Sequence, residues 1–413
     1  MYERHIEPKL LMAMTDTPVI LLNGARQTGK STLAKILAEN LPNTKYYNLD
    51  NLVDLAAVQT DPENFVNHPE TTLIIDEVQK APELFLAIKQ TVDENRRPGR
   101  FLLTGSTNIF LLPQISESLA GRMEIISFWP LSQGEIKNSP ENFIDNLFAD
   151  EFNTLSPEVL AREELITAII RGGYPEPLTR STPARRKAWF NSYITAILQR
   201  DIRDYSQIEA LSALPRLLAL LAARSASLMN YAELSRSSGI PQTTLVRYIT
   251  LLKATFLVHE VLPWSGNFSK RLVKSPKVYL NDTGLMTHLL GVDLKHLLDD
   301  PNHLGNLLEN FVVNELKKQM EWNETIVTML HYRSQGGQEI DIILENMAGQ
   351  CVGIEVKASG ILTKKDFAIL SSFAEELGEK FIRGIVLYTG DKFLSFGENL
   401  YAVPITALWG SKI

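Results

Sequence analysis

The stretch GARQTGKST, Gly24 to Thr32, lies between the apolar run PVILLN and the amphipathic run KSTLAKILAENL, and this order of strand, glycine loop and helix leaves few folds open. A loop of the form G-x-x-x-x-G-K-[ST] in that setting turns its backbone N–H groups inward to cradle phosphate. Gly24 and Gly29 let the main chain wrap phosphate oxygens, Lys30 brings a positive charge to the outer phosphates, and Ser31 offers a hydroxyl to magnesium. Ala25, Arg26, Gln27, Thr28 and Thr32 complete the loop, and the helix N-terminus adds its positive dipole end. At average residue usage such a match arises by chance in on the order of one per cent of chains this long. A glycine turn with no ligand is the bland alternative.

That alternative weakens at TTLIIDEVQK, where an apolar run ends on Asp76 and Glu77. One carboxylate there can hold hydrated magnesium, and its neighbour can orient or deprotonate an attacking water. The two motifs together predict ATP or ADP with Mg2+ as ligands. Glu77 is the residue that separates hydrolysis from binding alone. Around them the runs PVILLN, KYYNLD, TTLIID, RFLLTG and MEIISF alternate with helical patterns, the signature of a parallel sheet with crossover helices.

A chain of 413 residues exceeds what one hydrophobic core supports, so several domains are expected. The formal net charge of −7 argues against a general nucleic-acid coat and leaves only a local basic patch for such a partner. A single cysteine, Cys351, rules out an intramolecular disulfide and fits a reducing cytoplasm. The opening MYERHIEPKLLMAM lacks the basic and long apolar parts of a signal peptide. LPRLLALLAARSASLM is broken by Arg216 and Arg224 and is too short to cross a bilayer. The expectation is a cytoplasmic protein with no membrane partner. The seven histidines show no paired zinc spacing.

Residues 207–280 contain MNYAELSRSSGIPQTTLVRYITLLKATFLVHEV, which spells helix, Gly-Ile-Pro turn, helix and strand, the order of a winged helix. Its second helix would present Gln242, Thr243, Thr244 and Arg247 to a groove. The following WSGNFSKRLVKSPKVYL carries Lys270, Arg271, Lys274 and Lys277 among Trp264, Phe268 and Tyr279, a patch able to neutralise several phosphates of DNA or RNA. The alternative is a packing module with a solvated hairpin.

Near the C-terminus, EIDIILENMAGQCVGIEVKAS places acids inside apolar runs. Alternation puts Glu355 and Lys357 on one face and Val356 in the core, and ENMAGQ is long enough to join two strands as a hairpin that brings Asp341 alongside. Asp341 and Glu355 could hold one or two magnesium ions while Lys357 activates water for phosphodiester cleavage. The alternative is an edge strand whose charges resist aggregation.

The first 134 residues resemble an AAA-type P-loop ATPase of the additional-strand class. RFLLTGSTN matches that family's polar sensor of the γ-phosphate, with Thr104, Ser106 and Asn108 as candidates and the last two closest to the expected strand end. Arg122, in LAGRMEIISF, stands where the family offers an arginine to a neighbouring subunit's nucleotide, which implies a homo-oligomer; an ordinary surface ion pair is the other reading. A lid arginine is expected at Arg171 or Arg200. SLAGRMEIISFWPLSQGE, GGYPEP, LQRDIRDY, KVYLNDTGL and LGNLLENFVVNEL, in this order, resemble a prokaryotic group of AAA ATPases with a C-terminal domain long labelled as of unknown function. The spacing D-x(13)-E-x-K resembles the PD-(D/E)xK nuclease superfamily, which implies a restriction-endonuclease-like α/β domain. That pattern favours Glu309 over Glu315 as accessory acid and brings Gln338 near phosphate; Ile340 replaces the proline often found before the first acid.

The expected organisation is α/β and multidomain. It comprises a P-loop ATPase core (1–134), a helical lid or linker (135–206), a winged-helix region (207–280) and a nuclease-like α/β domain (281–413). The expected function is an ATPase that couples nucleotide state to a metal-dependent nuclease acting on nucleic acid. The competing reading is a nucleotide-dependent switch that binds nucleic acid or a protein without cutting.

Overall fold

In the computed structural model, which describes residues 2–106, 119–152, 158–201, 211–300, 303–334 and 336–410, the five N-terminal apolar runs all form strands. They are β1 (Val19–Asn23), β2 (Thr44–Asn48), β3 (Thr72–Asp76), β4 (Phe101–Gly105) and β5 (Met123–Ser127), paired in parallel in the order β2-β3-β4-β1-β5. Both faces of this sheet are covered, so Ile20, Leu21, Ile74, Ile75, Leu102 and Leu103 are all buried and the strands read as continuous apolar runs. Each such side chain contributes about 1.5–3 kcal/mol by leaving water. Because β4 lies between β1 and β3, the C-terminal ends of three strands stand side by side. Residues Arg4–Pro130, with Ala254–Phe256, form one compact unit.

The described residues from Leu131 onward, apart from Ala254–Phe256, form a second unit with residues 2–3. Its strands are β6 (Ser227–Leu228), β7 (Val258–Pro263), β8 (Lys277–Leu280), β9 (Val327–Arg333), β10 (Glu339–Asn346), β11 (Cys351–Lys357), β12 (Phe381–Tyr388), β13 (Leu394–Gly397) and β14 (Leu400–Pro404). They make one sheet in the order β13-β14-β12-β11-β10-β9-β7-β8-β6. The segments 207–280 and 281–413 therefore share a sheet. β7 pairs in parallel with β9 through Leu262↔Leu330 and Pro263↔His331, and the Trp264 N–H donates to the His331 carbonyl at 2.5 Å.

Buried polar bonds join the sequence motifs in this unit. Asp282 caps the helix Thr283–Leu290 through the Leu285 N–H at 2.8 Å and accepts the Gly173 N–H at 2.6 Å, so the NDTG and GGYPEP motifs close on each other. Gly172 is required beside it, because a Cβ there would lie 2.4 Å from Asp282 Oδ1 and its φ is +66°. On the helix Leu304–Gln319, Asn310 accepts the Leu280 N–H at 2.9 Å and donates to the Leu280 carbonyl at 2.9 Å. Glu315 on the same helix accepts the Gln133 N–H at 2.8 Å and the Lys318 amine at 2.6 Å. It is a packing acid.

ENMAGQ does form the expected hairpin. β10 and β11 pair antiparallel with Ile342 opposite Ile354, and Gly349 turns at φ +75°. Asp341 and Glu355 are the next residues on the two strands beyond that pair. On its other side β10 slips against β9 between Ile340 and Ile343, leaving Asp341 and Ile342 opposite one residue. This bulge re-aims the Asp341 side chain, whose Oδ2 accepts the Val356 N–H at 3.0 Å.

Candidate functional site

In the first unit, Gly29 takes φ +103° and caps the helix Lys30–Asn40, while Gln27 also turns left-handed at φ +60°. Gly24 passes so close to the loop after β5 that a Cβ would sit 2.0 Å from the Phe128 carbonyl oxygen. The resulting loop encloses the Lys30 amine, which donates to the carbonyls of Gly24 at 2.9 Å and Ala25 at 2.7 Å. Burial pulls this amine down to about 8, with the Arg26 and Arg4 charges adding to the fall and Glu77 and Asp76 opposing it. Thr28 is buried and bonds the Ala25 carbonyl at 2.9 Å. Ser31 is half-buried and Thr32 exposed on the first helical turn.

The acid pair stands at the end of β3. Asp76 is 1% exposed; its Oδ2 accepts from the Tyr46 hydroxyl at 2.8 Å and its Oδ1 from Thr104. Glu77 adopts φ 59°, ψ 44°, a left-handed conformation that costs a side-chain-bearing residue about 1–2 kcal/mol and re-aims its carboxylate at the strand exit. Oε2 of that carboxylate accepts from Ser106 Oγ at 3.0 Å and from the Gln79 amide, which also bonds Ser106 at 2.9 Å. Of the sensor candidates, Thr104 serves Asp76 and Ser106 serves Glu77; Asn108 lies outside the described residues.

Three residues that sequence reasoning missed belong to this site. Tyr46 comes from β2, Gln79 follows the acid pair, and Arg4 stacks its guanidinium 3.8 Å from the Phe128 ring centroid while donating to the Thr28 carbonyl at 2.9 Å and the Trp129 carbonyl at 2.7 Å. Gln79 alone carried a signal, being two residues from Glu77. Arg122 is held by Asp93 in a two-pronged ion pair at 2.5 and 3.0 Å on the surface of its own unit. Arg171 is exposed, and the Arg200 side chain lies outside the described residues.

In the second unit the C-terminal acids meet. Glu355 is 4% exposed and accepts the Lys357 amine at 2.8 Å, whereas Val356 is only half-buried, contrary to the expected alternation. β11 is an inner strand between β10 and β12 with helices packed on the sheet, so both its faces are covered. Burial pushes the Glu355 carboxyl up, with Asp341 adding to the rise and Lys357 opposing it. Glu309 is brought into the same cluster, and burial with the Asp341 charge pushes its carboxyl up as well.

The group that joins them is Lys277, 2% exposed, whose amine lies 2.9 Å from Glu309, 3.4 Å from Asp341 and 3.7 Å from Glu339. Tyr279, two residues along β8, donates to Glu309 at 2.7 Å. Burial works to lower the Lys277 amine, and Glu309 and Asp341 overcome it and raise it. This corrects the expected basic patch. Lys277 and Tyr279 are spent inside, and Arg271 is buried against Glu345 at 2.9 Å and the Ser265 carbonyl at 2.7 Å. Trp264 is buried too and Lys274 is exposed, while the Phe268 and Lys270 side chains lie outside the described residues. Among the described residues no group of three or more His, Cys, Asp or Glu is arranged to hold a metal ion. Gln338 makes a backbone bond to Ser334 Oγ at 3.1 Å.

Family models match in three places: an AAA domain over residues 16–137, and domains of unknown function, DUF8612 over 162–296 and DUF4143 over 304–408. Two uncharacterized proteins, Rv2008c of Mycobacterium tuberculosis and Mb2031c of Mycobacterium bovis, are each 30% identical over 401 residues, covering 97% of this chain and 83% of theirs. Among solved structures, AMPPCP-bound DnaA from Aquifex aeolicus matches 60% of this chain and 85% of its own at 14% identity and a TM-score of 0.29. The RuvB Holliday junction branch migration motor of Thermotoga maritima matches 62% and 88% at 19% identity and a TM-score of 0.29. Scores this low carry no weight for the chain as a whole. No helix among the described residues is long and apolar enough to cross a membrane.

Proposed function

Because the chain belongs to the family of the two mycobacterial proteins and carries an AAA domain over residues 16–137, we propose that it binds ATP at Gly24–Thr32, hydrolyses it with Glu77, and uses the nucleotide state to switch a nucleic-acid-binding second unit. One observation carries the ATPase reading. The loop after β1 and the acid pair at the end of β3 flank β4, where Thr104 donates to Asp76 and accepts the Glu77 N–H at 3.2 Å, and Ser106, just past the strand, donates to the Glu77 carboxylate. Ser31 and Asp76 supply the hard oxygen donors that magnesium takes, and each Asp76 oxygen keeps a lone pair for metal-bound water. Magnesium bound there supplies charge neutralisation for the β- and γ-phosphate oxygens. Lys30 exchanges its two carbonyl contacts for phosphate oxygens, and Glu77, steadied by Ser106 and Gln79, orients the attacking water and takes its proton. Glu77→Gln should retain nucleotide affinity and slow ATP turnover by about 10²–10⁴-fold. Turnover at the parent rate would refute the role.

The nucleic-acid reading is supported by the helix pair Tyr231–Ser238 and Gln242–Ala254 and by the antiparallel strands β6, β8 and β7, the elements of a winged helix. Gln242, Thr243 and Arg247 are exposed on the second helix, and Thr244 is half-buried. Arg247→Ala should weaken binding to mixed-sequence DNA or RNA and reduce the salt slope by about one; unchanged binding removes this surface from the model. For Asp341, Glu355, Lys357 and Glu309 we favour recognition without cleavage, since a lysine stands among the acids. Lys357-dependent nucleic-acid cutting in Mg2+ or Mn2+ would reinstate the nuclease.

A further inference from the structure

A cluster of acids buried together needs a positive charge among them, and in metal-dependent phosphodiesterases a divalent ion provides it. Here the position is taken by the chain itself. Lys277 reaches in from β8 and contacts Glu309 at 2.9 Å, Asp341 at 3.4 Å and Glu339 at 3.7 Å. Its neighbour Tyr279 completes the grip on Glu309 at 2.7 Å. β8 belongs to the segment 207–280 and the acids to 281–413, so the continuous sheet through β7 and β9 delivers the lysine.

Glu339, at the rim of the cluster, also pairs with Arg333 at 3.0 Å. Asp341 spends Oδ2 on the Val356 N–H, and Glu355 spends Oε2 on Lys357 while its buried Oε1 has no hydrogen-bond partner. That oxygen is an unsatisfied buried acceptor, which an ion or water admitted to the cluster would satisfy.

We propose that Lys277 is a resident cation that stands in for a divalent metal in the acid cluster of Glu309, Glu339, Asp341 and Glu355, and that removing its amine converts the cluster into a divalent-cation site. The inference rests on the reading of Asp341 and Glu355 as a nuclease-like acid pair, and it accounts for that pair without a metal-dependent reaction. An ammonium matches the charge sign but offers no open coordination positions, so it can hold the acids together without presenting an activated water.

The test uses the full chain without nucleotide, so that the P-loop site contributes equally to every arm. Mn2+ binding is followed by electron paramagnetic resonance and by the shift of the melting temperature on adding Mn2+ after chelator. In the parent chain and in Asp341→Asn the Mn2+ response should be the same. Lys277→Ala should melt lower in chelator, bind about one additional Mn2+ per chain and regain stability with it, and the gain should vanish in Lys277→Ala with Asp341→Asn.

Asp341-dependent Mn2+ binding by the parent chain would overturn the proposal and favour the metal-dependent nuclease; this arm does not depend on any lysine variant folding. A folded Lys277→Ala with no additional Mn2+ would also overturn it. If Lys277→Ala does not fold, Lys277→Gln combined with Glu309→Gln, which removes one charge of each sign, carries the same comparison. The Glu77→Gln turnover assay is independent of all these outcomes.

Discussion

Gly24→Ala adds one methyl group at a place where its cost follows from geometry. Gly24 has no left-handed φ, so alanine is acceptable to its backbone and space alone decides. The new Cβ would lie 2.0 Å from the Phe128 carbonyl oxygen, 2.9 Å from its carbon and 3.2 Å from its Cα, and these are main-chain atoms that cannot rotate aside. Restoring an ordinary 3.4 Å contact requires the end of β1 and the exit of β5 to separate by about 1.4 Å. The Phe128 N–H is tied to the Asn23 carbonyl at 2.7 Å, and the Phe128 ring supports Arg4, which in turn holds the Thr28 carbonyl. The displacement therefore enters the phosphate loop from both ends.

Overpacking of this kind costs about 1–3 kcal/mol, and about 2 kcal/mol borne by the loop weakens nucleotide binding roughly 30-fold. Titration of a fluorescent ATP analogue, with thermal unfolding in parallel, measures both parts. Gly360→Ala, where a Cβ meets nothing within 4 Å, is the control and should change neither. A Gly24→Ala chain that binds within twofold of the parent and melts at the parent temperature would show that the Phe128 carbonyl yields freely, and the reasoning would fail.

Tyr46→Phe removes the donor on Asp76 Oδ2, and the loss of about 1 kcal/mol should raise the magnesium concentration needed for half-maximal ATP turnover about fivefold; no change would detach Tyr46 from the site. Asp282→Ala strands the Gly173 N–H and uncaps the helix Thr283–Leu290, a loss of about 2–3 kcal/mol that lowers the melting temperature of the second unit in calorimetry. His331 is buried, and burial first, with Lys277 next, pulls its imidazole down to about 4. The unfolded chain binds that proton near 6.5 and the folded chain does not, so this stability is complete above about pH 6.5 and is lost on acidification toward about 4, at about 1.4 kcal/mol per pH unit. Denaturant midpoints of the parent and His331→Asn should converge as the pH falls through that window, and parallel curves would contradict the assignment.

Much of the first unit is legible in the chain because its determinants are local. A buried parallel strand must be apolar along its length, and a phosphate loop needs glycines and a lysine at fixed offsets, so PVILLN, GARQTGKST and TTLIIDE declare both the elements and their chemistry. The same holds for the hairpin ENMAGQ and for the meeting of Asp341 with Glu355, since an antiparallel register pairs residues by position. What no window of sequence contains is the identity of the neighbour across space. Tyr46 and Arg4 join the nucleotide site only because β2 lies beside β3 and the N-terminal segment passes the loop. Asp341 is re-aimed by a bulge that depends on the register with β9.

Lys277 shows the division most sharply. In the sequence it is one of four cations in a run without an acid, and a charge in such a run is read as solvated. Its burial among Glu309, Glu339 and Asp341 depends on β7 pairing with β9 and thereby carrying β8 up to the helix Leu304–Gln319. Composition and spacing determined which groups this protein has to work with. Strand order in the two sheets decided which charges face each other, because the energy of an ion pair depends on distance and burial and neither is a property of the chain before it folds.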